Sequence, residues 1–289
     1  MKKIFFKLAM LATIPMILMG CGKSKEETGD KLKVAVSISP LKEFTEIIGG
    51  DKVDIYCVVK ENMEPHDFDF SPSDKKELME RELFIYNGLG LEDWLSQAEE
   101  GSDIKLVDTS TNADVIKVNE TADPHIWLSL KEATNQCINI KDALVEADPE
   151  NKDYYEENYN NYKDELNNLY EEYKPKFDTI QGETFVTSHE AFGYLCREFG
   201  LEQKAITGLF NAEGEITFKD MEDLVEYCKS NGIKTIFSEG TESQKSSETL
   251  VKEIGGTIVP IYTLETKTEG KTYIEAMKDN YEKIYEELK

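Results

Sequence analysis

Short apolar runs alternate with amphipathic segments along almost the entire chain, and no other feature of the sequence restricts the fold as strongly. In the first half, strand candidates such as KLKVAVS, VDIYCVV, LFIYNG and IKLVD are separated by helical patterns such as LKEFTEIIG and SPSDKKELMER. The second half repeats the alternation with TFVTS, KAITG, KTIFSE and TIVPIYT. Strands that alternate with helices form parallel sheets covered by helices. We therefore predict an α/β protein with two lobes, each built on a mainly parallel sheet flanked by helices.

The segment between the two halves, DPENKDYYEENYNNYKDELNNLYEEYKPKF, has the pattern of one long rigid helix. Because proline restricts the residue before it, this helix is predicted to stop before Pro175. A stripe of large residues recurs at steps of three and four, the spacing of one helix face. These residues are Tyr155, Tyr159, Tyr162, Leu166, Leu169 and Tyr173.

We interpret this helix as a strut packed within the chain, because buried tyrosine rings can keep their hydroxyl groups in water at the edge of a packed surface. The alternative is a short coiled-coil arm that pairs with another molecule. The predicted organisation is an N-terminal lobe over residues 31–147, the linking helix over residues 148–177 and a C-terminal lobe over residues 178–289.

Residues 1–20, MKKIFFKLAMLATIPMILMG, have the basic start and the short apolar run of a secretory signal peptide. The run is too short for a comfortable membrane span. It leads into LMGC, which resembles the bacterial lipobox, where the cysteine is lipidated and becomes the new N-terminus. Cys21 is therefore the predicted lipidation site, and the polar residues 21–30 are the predicted tether. The alternative is an ordinary signal peptide followed by an incidental cysteine.

The charge balance excludes one large class of partners. The chain has 58 acidic and 33 basic residues and a formal net charge of −25. Nucleic-acid binding is not expected, because phosphate recognition needs clustered lysine and arginine side chains. The acidic surface raises the local concentration of cations but selects no particular ion.

Four cysteines follow the predicted lipidation site, and none has the spacing of a zinc finger or a redox pair. We expect them to be buried, small packing residues. In an exported protein, a disulfide between Cys196 and Cys228 is the alternative. The other two are Cys57 and Cys137.

The chain has only three histidines, and each lies in a short loop-like segment: His66 in MEPHDF, His125 in TADPHIWLS and His189 in TSHEAF. Each follows a predicted strand or an equivalent loop, and in parallel α/β folds ligands bind outside the carboxyl ends of the strands. Singly, each could be a surface, helix-capping or core histidine. Jointly, they fit one metal ion in the cleft between the lobes, with their second ring nitrogens oriented by carboxylates. The neighbouring candidates for that supporting role are Glu64, Asp67, Asp123 and Glu190.

Three longer motifs contain these histidines: EPHDFDFSPSD, DPHIWLS and TSHEAFGYLCREFGL, the last followed by ITGL. In this order they resemble the signature of the zinc/manganese solute-binding lipoproteins of bacterial ABC importers (cluster A-I type), and within them the streptococcal zinc-binding and laminin-binding branch. The resemblance covers essentially the whole mature chain. It implies two α/β lobes joined by one long helix, with a metal buried between them and bound by His66, His125 and His189.

The fourth metal ligand differs among members of this family. Many relatives have an aspartate just after the last strand, where this sequence has Tyr262. Glu265 resembles the glutamate of the streptococcal branch and is the ligand that the resemblance implies; the alternative is an exposed loop acid, with water completing the metal site. Glu239, in IFSEG, also matches a family position, and we interpret it as an acid that supports the ligands or caps a helix.

Three imidazoles and one carboxylate suit Zn(II), which prefers nitrogen, sulfur and oxygen ligands in near-tetrahedral geometry. Manganese-binding relatives usually have a carboxylate in place of the third histidine, so an Mn(II)-specific member of the family is the alternative. The resemblance also implies a high-affinity receptor, lipid-anchored at Cys21 on the extracytoplasmic face of the cell membrane, which delivers the ion to an ABC permease with a separate ATPase. We expect a monomer without enzymatic activity.

A zinc-dependent hydrolase and a surface adhesin are the other functions that these residues allow. A hydrolase would use the three histidines and an open fourth position to activate water, with Glu190 as the base. The sequence contains no HExxH pair, which argues against this function. An adhesin is suggested only by the laminin-binding relatives.

Overall fold

The computed structural model describes residues 31–210, 216–239, 245–268 and 270–289. These residues form an α/β structure with two parallel four-stranded sheets, as the sequence predicts. The predicted signal peptide, tether and lipidation site lie outside the described residues. None of the described helices is long and apolar enough to cross a membrane.

The sheet of the first lobe has four strands: β1 (Leu32–Val36), β2 (Val53–Cys57), β3 (Leu83–Tyr86) and β4 (Lys105–Asp108). Their spatial order is β2-β1-β3-β4, and all neighbouring strands are parallel. The central strand β1 is buried on both faces, because Val34, Ala35 and Val36 have no exposed surface. A continuous apolar run is typical of a strand covered on both sides. The helices of this lobe are α1 (Ser39–Gly49), α2 (Pro72–Leu78), α3 (Leu95–Glu99) and α4 (Leu130–Ala147).

A two-stranded antiparallel ribbon follows β4 in the chain. It consists of β5 (Lys117–Val118) and β6 (Thr121–Ala122), and both residues of its turn have positive φ. This ribbon was not predicted, because strands of two residues are too short to show an alternating pattern. The ribbon leads directly into Asp123 and so sets the start of the segment that contains His125.

The linking helix α5 extends over Lys152–Phe177, and all six residues of its predicted stripe are buried within the chain. The interpretation as an intramolecular strut is therefore confirmed. The prediction that the helix stops before Pro175 is wrong. A proline so close to a helix end removes only one backbone hydrogen bond. Phe177 is fully buried and packs against Phe199, with ring centroids 4.4 Å apart, and this burial keeps the last turn helical.

The sheet of the second lobe also has four strands: β7 (Thr184–His189), β8 (Glu202–Thr207), β9 (Thr235–Ser238) and β10 (Thr257–Pro260). Their spatial order is β10-β9-β7-β8, again with parallel neighbours. The described helices that follow α5 are α6 (Gly193–Phe199), α7 (Phe218–Ser230), α8 (Lys245–Ile254) and α9 (Tyr273–Leu288).

Both sheets have the same topology. When the strands of each sheet are counted in chain order, the spatial order is second, first, third, fourth in both. The direction of winding therefore reverses between β1 and β3 in one sheet and between β7 and β9 in the other. Ligands of such sheets bind near this switch point, outside the carboxyl ends of the strands.

The four cysteines within the described residues are free and buried, and their places in the core explain this state. A main hydrophobic core extends through both lobes and α5 and contains Cys57, Cys137 and Cys196. Cys228 lies in a separate, smaller core of the second lobe. The predicted packing roles are confirmed, and the alternative of a Cys196–Cys228 disulfide is wrong because the two residues belong to different cores.

The stripe of α5 provides a test of the packing. Leu166→Ala, at a position with no exposed surface, is expected to lower the free energy of unfolding by about 2–5 kcal/mol through lost burial and a cavity. Asn168→Ala, on the exposed face of the same helix, should change it by less than about 0.5 kcal/mol. Denaturant titrations of both variants make the measurement, and equal effects would contradict the assignment of the buried face.

Candidate metal centre

His66 lies in a short 3₁₀ turn, Pro65–Asp67, in the loop after β2. The Glu64 carboxylate caps this turn by accepting a hydrogen bond from the His66 N–H at 3.3 Å. The loop ends at α2, whose first turn is closed by a capping box between Ser71 and Asp74. With the loop fixed at both ends, the His66 side chain points inward and is only 2% exposed.

His125 follows the β5–β6 ribbon and is fully buried. Asp123 holds it twice: one carboxylate oxygen accepts a hydrogen bond from the His125 N–H at 2.9 Å and another from Nδ1 at 2.7 Å. An ionised carboxylate only accepts hydrogen bonds, so Nδ1 carries the proton. Nε2 is therefore the ring nitrogen that faces a ligand.

A buried polar network fixes the backbone just before His125. The Asn87 amide donates to the Pro124 carbonyl at 2.8 Å, and its oxygen accepts from the Gln136 amide at 2.9 Å. The backbone of Asn87 is held in turn by the buried Glu92 carboxylate, at 2.9 Å. Asn87, Gln136 and Glu92 were not predicted to support the site, since a single sequence does not distinguish a buried polar residue from an exposed one.

His189 is the last residue of β7, at the switch point of the second sheet. It was expected to follow the strand directly, and the strand instead includes it. Its backbone carbonyl accepts hydrogen bonds from the Thr187 hydroxyl at 2.6 Å and from the Gln203 amide at 3.2 Å. The side chain is buried and packing restricts its ring orientation. The expectation that carboxylates orient all three rings is wrong: among the described residues, Nδ1 of His189 and Nδ1 of His66 have no hydrogen-bond partner, and only His125 has one.

Glu265 lies in the loop after β10, and this loop is fastened to the first lobe. The indole N–H of Trp127 donates to the Thr263 carbonyl at 2.7 Å. On the other side of Glu265, the Lys267 N–H donates to the Glu61 carbonyl at 2.8 Å, and the two side chains form an ion pair at 3.1 Å. These contacts hold Glu265 over the histidines, where its side chain is 1% exposed.

The three imidazoles and the Glu265 carboxylate meet at one point. Nε2 of His125 lies 3.2 Å from Nε2 of His66 and 3.1 Å from Nε2 of His189. Oε1 of Glu265 lies 3.0 Å from Nε2 of His66, 3.1 Å from Nε2 of His125 and 3.8 Å from Nε2 of His189. A tetrahedral zinc site with bonds of about 2 Å would separate its donor atoms by roughly 3.3 Å. The four donors therefore fit a single metal ion.

The charges of the three imidazoles and the Glu265 carboxylate also favour the binding of a cation. Burial by itself would lower the pKa of His125, but Asp123 and Glu265 raise it to about 10. Burial lowers the pKa of His189. Burial opposes ionisation of Glu265, yet the three imidazoles that face Oε1 hold its pKa well below the usual value. Without a metal, the ionised carboxylate is balanced by a proton on His125, and a metal ion can replace that proton.

The carboxylates that were expected to support the ligands divide into two groups. Asp123 contacts His125 directly, Glu64 caps the turn of His66, and the Glu239 carboxylate accepts a hydrogen bond from the Thr263 N–H in the Glu265 loop. Burial and the nearby Glu265 charge raise the pKa of Glu64 to about 8.

Two of the expected carboxylates do not contact the imidazoles. Asp67 is exposed. Glu190 lines a cleft with Asn119, Lys204 and Asp220, although burial and the nearby Asp123 charge raise its pKa. Neither forms a hydrogen bond with the three imidazoles in the part of the chain that the structure describes. Glu190 directly follows the last residue of β7, and adjacent side chains of an extended chain point in opposite directions, so adjacency in sequence was misleading for Glu190.

Two α/β lobes that contribute donors to one buried cluster define a class of metal-binding receptor. Residues 34–287 match the family described as "Zinc-uptake complex component A periplasmic". The chain belongs to this family, whose members are substrate-binding transport proteins of ABC importers, and the predicted resemblance is confirmed.

Some relatives are named for zinc and others for manganese. The "High-affinity zinc uptake system protein ZnuA" of Bacillus subtilis is 31% identical over 309 residues, which cover 97% of each chain. The "Manganese ABC transporter substrate-binding lipoprotein PsaA" of Streptococcus mitis is 32% identical over 300 residues, which cover 96% of each chain. A solved structure of the laminin-binding protein Lmb of Streptococcus agalactiae, described as having adhesin and metal transporting activity, has a TM-score of 0.85 at 30% identity, covering 90% of this chain and all of that one.

The contrast between Asp123 and Asp67 gives a matched test of the site. The Asp123 charge orients the His125 ring and makes it more basic, and Asp123→Asn removes this charge. The variant is expected to weaken metal binding by about 10–100-fold. Asp67→Asn, at an exposed carboxylate beside His66, should leave the affinity within about twofold. Competition with a chromophoric zinc chelator measures both, and equal losses would contradict the orienting role of Asp123.

Proposed function

We propose that this protein captures Zn(II) outside the cytoplasmic membrane and delivers it to the permease of an ABC importer. The main support for the proposal is that three imidazole nitrogens and one carboxylate oxygen lie within 4.8 Å of one another, on side chains that are at most 2% exposed. A buried carboxylate needs a compensating charge. Zn(II) supplies that charge and accepts this donor set in tetrahedral geometry. Zinc is the cargo of the receptor.

The nitrogen donor of His189 favours zinc over manganese. Imidazole ligands suit zinc, copper and nickel, whereas carboxylate and water oxygens suit manganese. Family membership by itself does not distinguish the two metals, since relatives with either metal in their names are about equally similar to this chain. The preference for zinc is therefore inferred from the imidazole of His189.

The fourth donor favours a carrier over a hydrolase. Oε1 of Glu265 faces His66 and His125 at 3.0 and 3.1 Å, in the position that a catalytic zinc site leaves open for water. Glu190, the candidate base, lines a different cleft. We therefore propose that the protein is not an enzyme.

Delivery requires that the four donors separate. His66 and His125 belong to the first lobe and His189 to the second. The Glu265 loop follows the last strand of the second lobe, but it is bonded to the first lobe through Trp127 and Glu61. Movement of the second lobe would therefore withdraw His189 first and leave the ion on three donors, which bind it less tightly.

The family and the sequence suggest the cellular setting. Lipidation of Cys21 would hold the receptor on the extracytoplasmic face of the membrane, with a short polar tether before residue 31. An ABC permease and its ATPase would accept the ion. Because the tyrosine stripe of α5 is buried within the chain, it is not available for a coiled coil, and we propose a monomer.

Metal content and competition test the proposal. The purified soluble domain is expected to hold one zinc per chain and to prefer zinc to manganese at equilibrium. His189→Ala should weaken zinc binding by at least about 100-fold, because a direct ligand contributes more than a residue that orients one. His189→Glu should retain a four-donor site and move the preference toward manganese. Unchanged zinc affinity in His189→Ala would contradict the proposal, provided that the metal-free variant melts like the wild type.

Proton release gives a second test. Since the pKa of His125 is about 10 without metal, zinc must displace its Nε2 proton at pH 7. Calorimetry in buffers of different ionisation enthalpy is expected to show release of about one proton per zinc. The apparent affinity should rise by about tenfold per pH unit between pH 7 and 9. Asp123→Asn lowers the pKa of His125 and should release fewer protons, and a binding enthalpy independent of the buffer would contradict the protonated state.

A further inference from the structure

The second oxygen of the Glu265 carboxylate does not face the histidines. Oε2 accepts a hydrogen bond from the Thr263 hydroxyl at 2.8 Å, whereas Oε1 faces the imidazoles. Both side chains are buried, with residue exposures of 1% for Glu265 and 2% for Thr263. Water therefore does not compete strongly for this hydrogen bond, and the rotation of the carboxylate is fixed.

Thr263 is itself held on both sides. Its N–H donates to the Glu239 carboxylate, and its carbonyl accepts from the indole of Trp127 at 2.7 Å. Leu264, between Thr263 and Glu265, has a left-handed backbone with φ of 64°, which folds the chain back. A non-glycine residue adopts this conformation at a cost in energy that the surrounding contacts must offset. The Thr263 hydroxyl therefore has a fixed position, and its single proton is directed at Oε2.

A fixed carboxylate limits the coordination number of the metal. If Glu265 offers only Oε1, the site supplies three nitrogens and one oxygen, which is a complete tetrahedral set for Zn(II). Mn(II) prefers more ligands and more oxygens, and a bidentate carboxylate is the nearest source of one. The hydrogen bond from Thr263 makes that second oxygen costly to recruit, because a charge-assisted hydrogen bond would be lost.

We propose that Thr263 is a specificity-determining residue, whose hydroxyl confines Glu265 to one metal-facing oxygen and thereby disfavours Mn(II) relative to Zn(II). This inference rests on the proposed capture of zinc. It concerns the number of oxygens that reach the metal, so it can fail while zinc binding itself stands.

The test compares Thr263→Val with the wild type. Valine keeps the shape of threonine and all backbone contacts of residue 263 but removes the hydroxyl. Zinc K-edge absorption of the loaded wild type should show four N/O donors, and the variant should show an additional oxygen from a bidentate carboxylate. The ratio of manganese to zinc dissociation constants should fall by about tenfold in the variant, as expected from the loss of one charge-assisted hydrogen bond.

Two controls and a second test variant isolate the effect of the hydroxyl. Thr263→Ser retains it and should behave like the wild type. Thr45→Val removes a buried hydroxyl that donates to the Leu41 carbonyl in α1, and should change neither the absorption spectrum nor the metal preference. Thr263→Ala removes the hydroxyl without the bulk of valine and gives the decisive result if Thr263→Val does not fold.

The results that would contradict the role of Thr263 differ from the result that would contradict zinc capture. A four-donor zinc spectrum and an unchanged metal preference in Thr263→Val or Thr263→Ala would overturn the role of Thr263. A bidentate carboxylate in the loaded wild type would overturn it as well. A wild-type protein that binds no zinc would instead overturn the proposed function.

Discussion

The contact between the buried Glu265 carboxylate and three imidazoles is the interaction on which the rest of the structure depends. The carboxylate is 1% exposed and lies 3.0–3.8 Å from the three Nε2 atoms. Burying a charge is costly unless an opposite charge and hydrogen bonds compensate for it. Without metal, a proton on His125 compensates, and with zinc bound the ion does. Proton and zinc therefore compete for the same position.

The fold assembles this cluster from loops at the ends of strands. His66 follows β2, His125 follows the β5–β6 ribbon, His189 ends β7 and Glu265 follows β10. Because both sheets have the same winding order, each offers a switch point at the carboxyl ends of its strands. The Glu265 loop then crosses to the first lobe, where Trp127 and Glu61 hold it. Donors far apart in sequence thus become neighbours without any local motif.

Much of the fold followed from the amino-acid pattern. The alternation of apolar runs and amphipathic helices predicted the two parallel sheets, and the stripe on α5 predicted its buried face. The end of that helix did not follow from the pattern, because local proline chemistry competes with the tertiary burial of Phe177. The β5–β6 ribbon was too short to leave a periodic signal.

The site was predicted less completely than the fold. The three histidines stood out because the chain has no others, and the family resemblance indicated Glu265. The supporting groups depend on side-chain direction, which a sequence does not provide. Asp123 reaches His125, whereas Asp67 is exposed and Glu190 faces another cleft. The Asn87–Gln136 network and the Thr263 hydroxyl were missed, since nothing in their sequence context distinguishes them from ordinary polar residues.

Zinc binding at this site is tested most directly by anomalous diffraction at the zinc edge from crystals of residues 31–289 loaded with zinc. We predict one strong anomalous peak per chain, bonded at about 2 Å to Nε2 of His66, His125 and His189 and to one oxygen of Glu265. A zinc ion located elsewhere, or bonded to fewer than all three of these imidazoles, would contradict it.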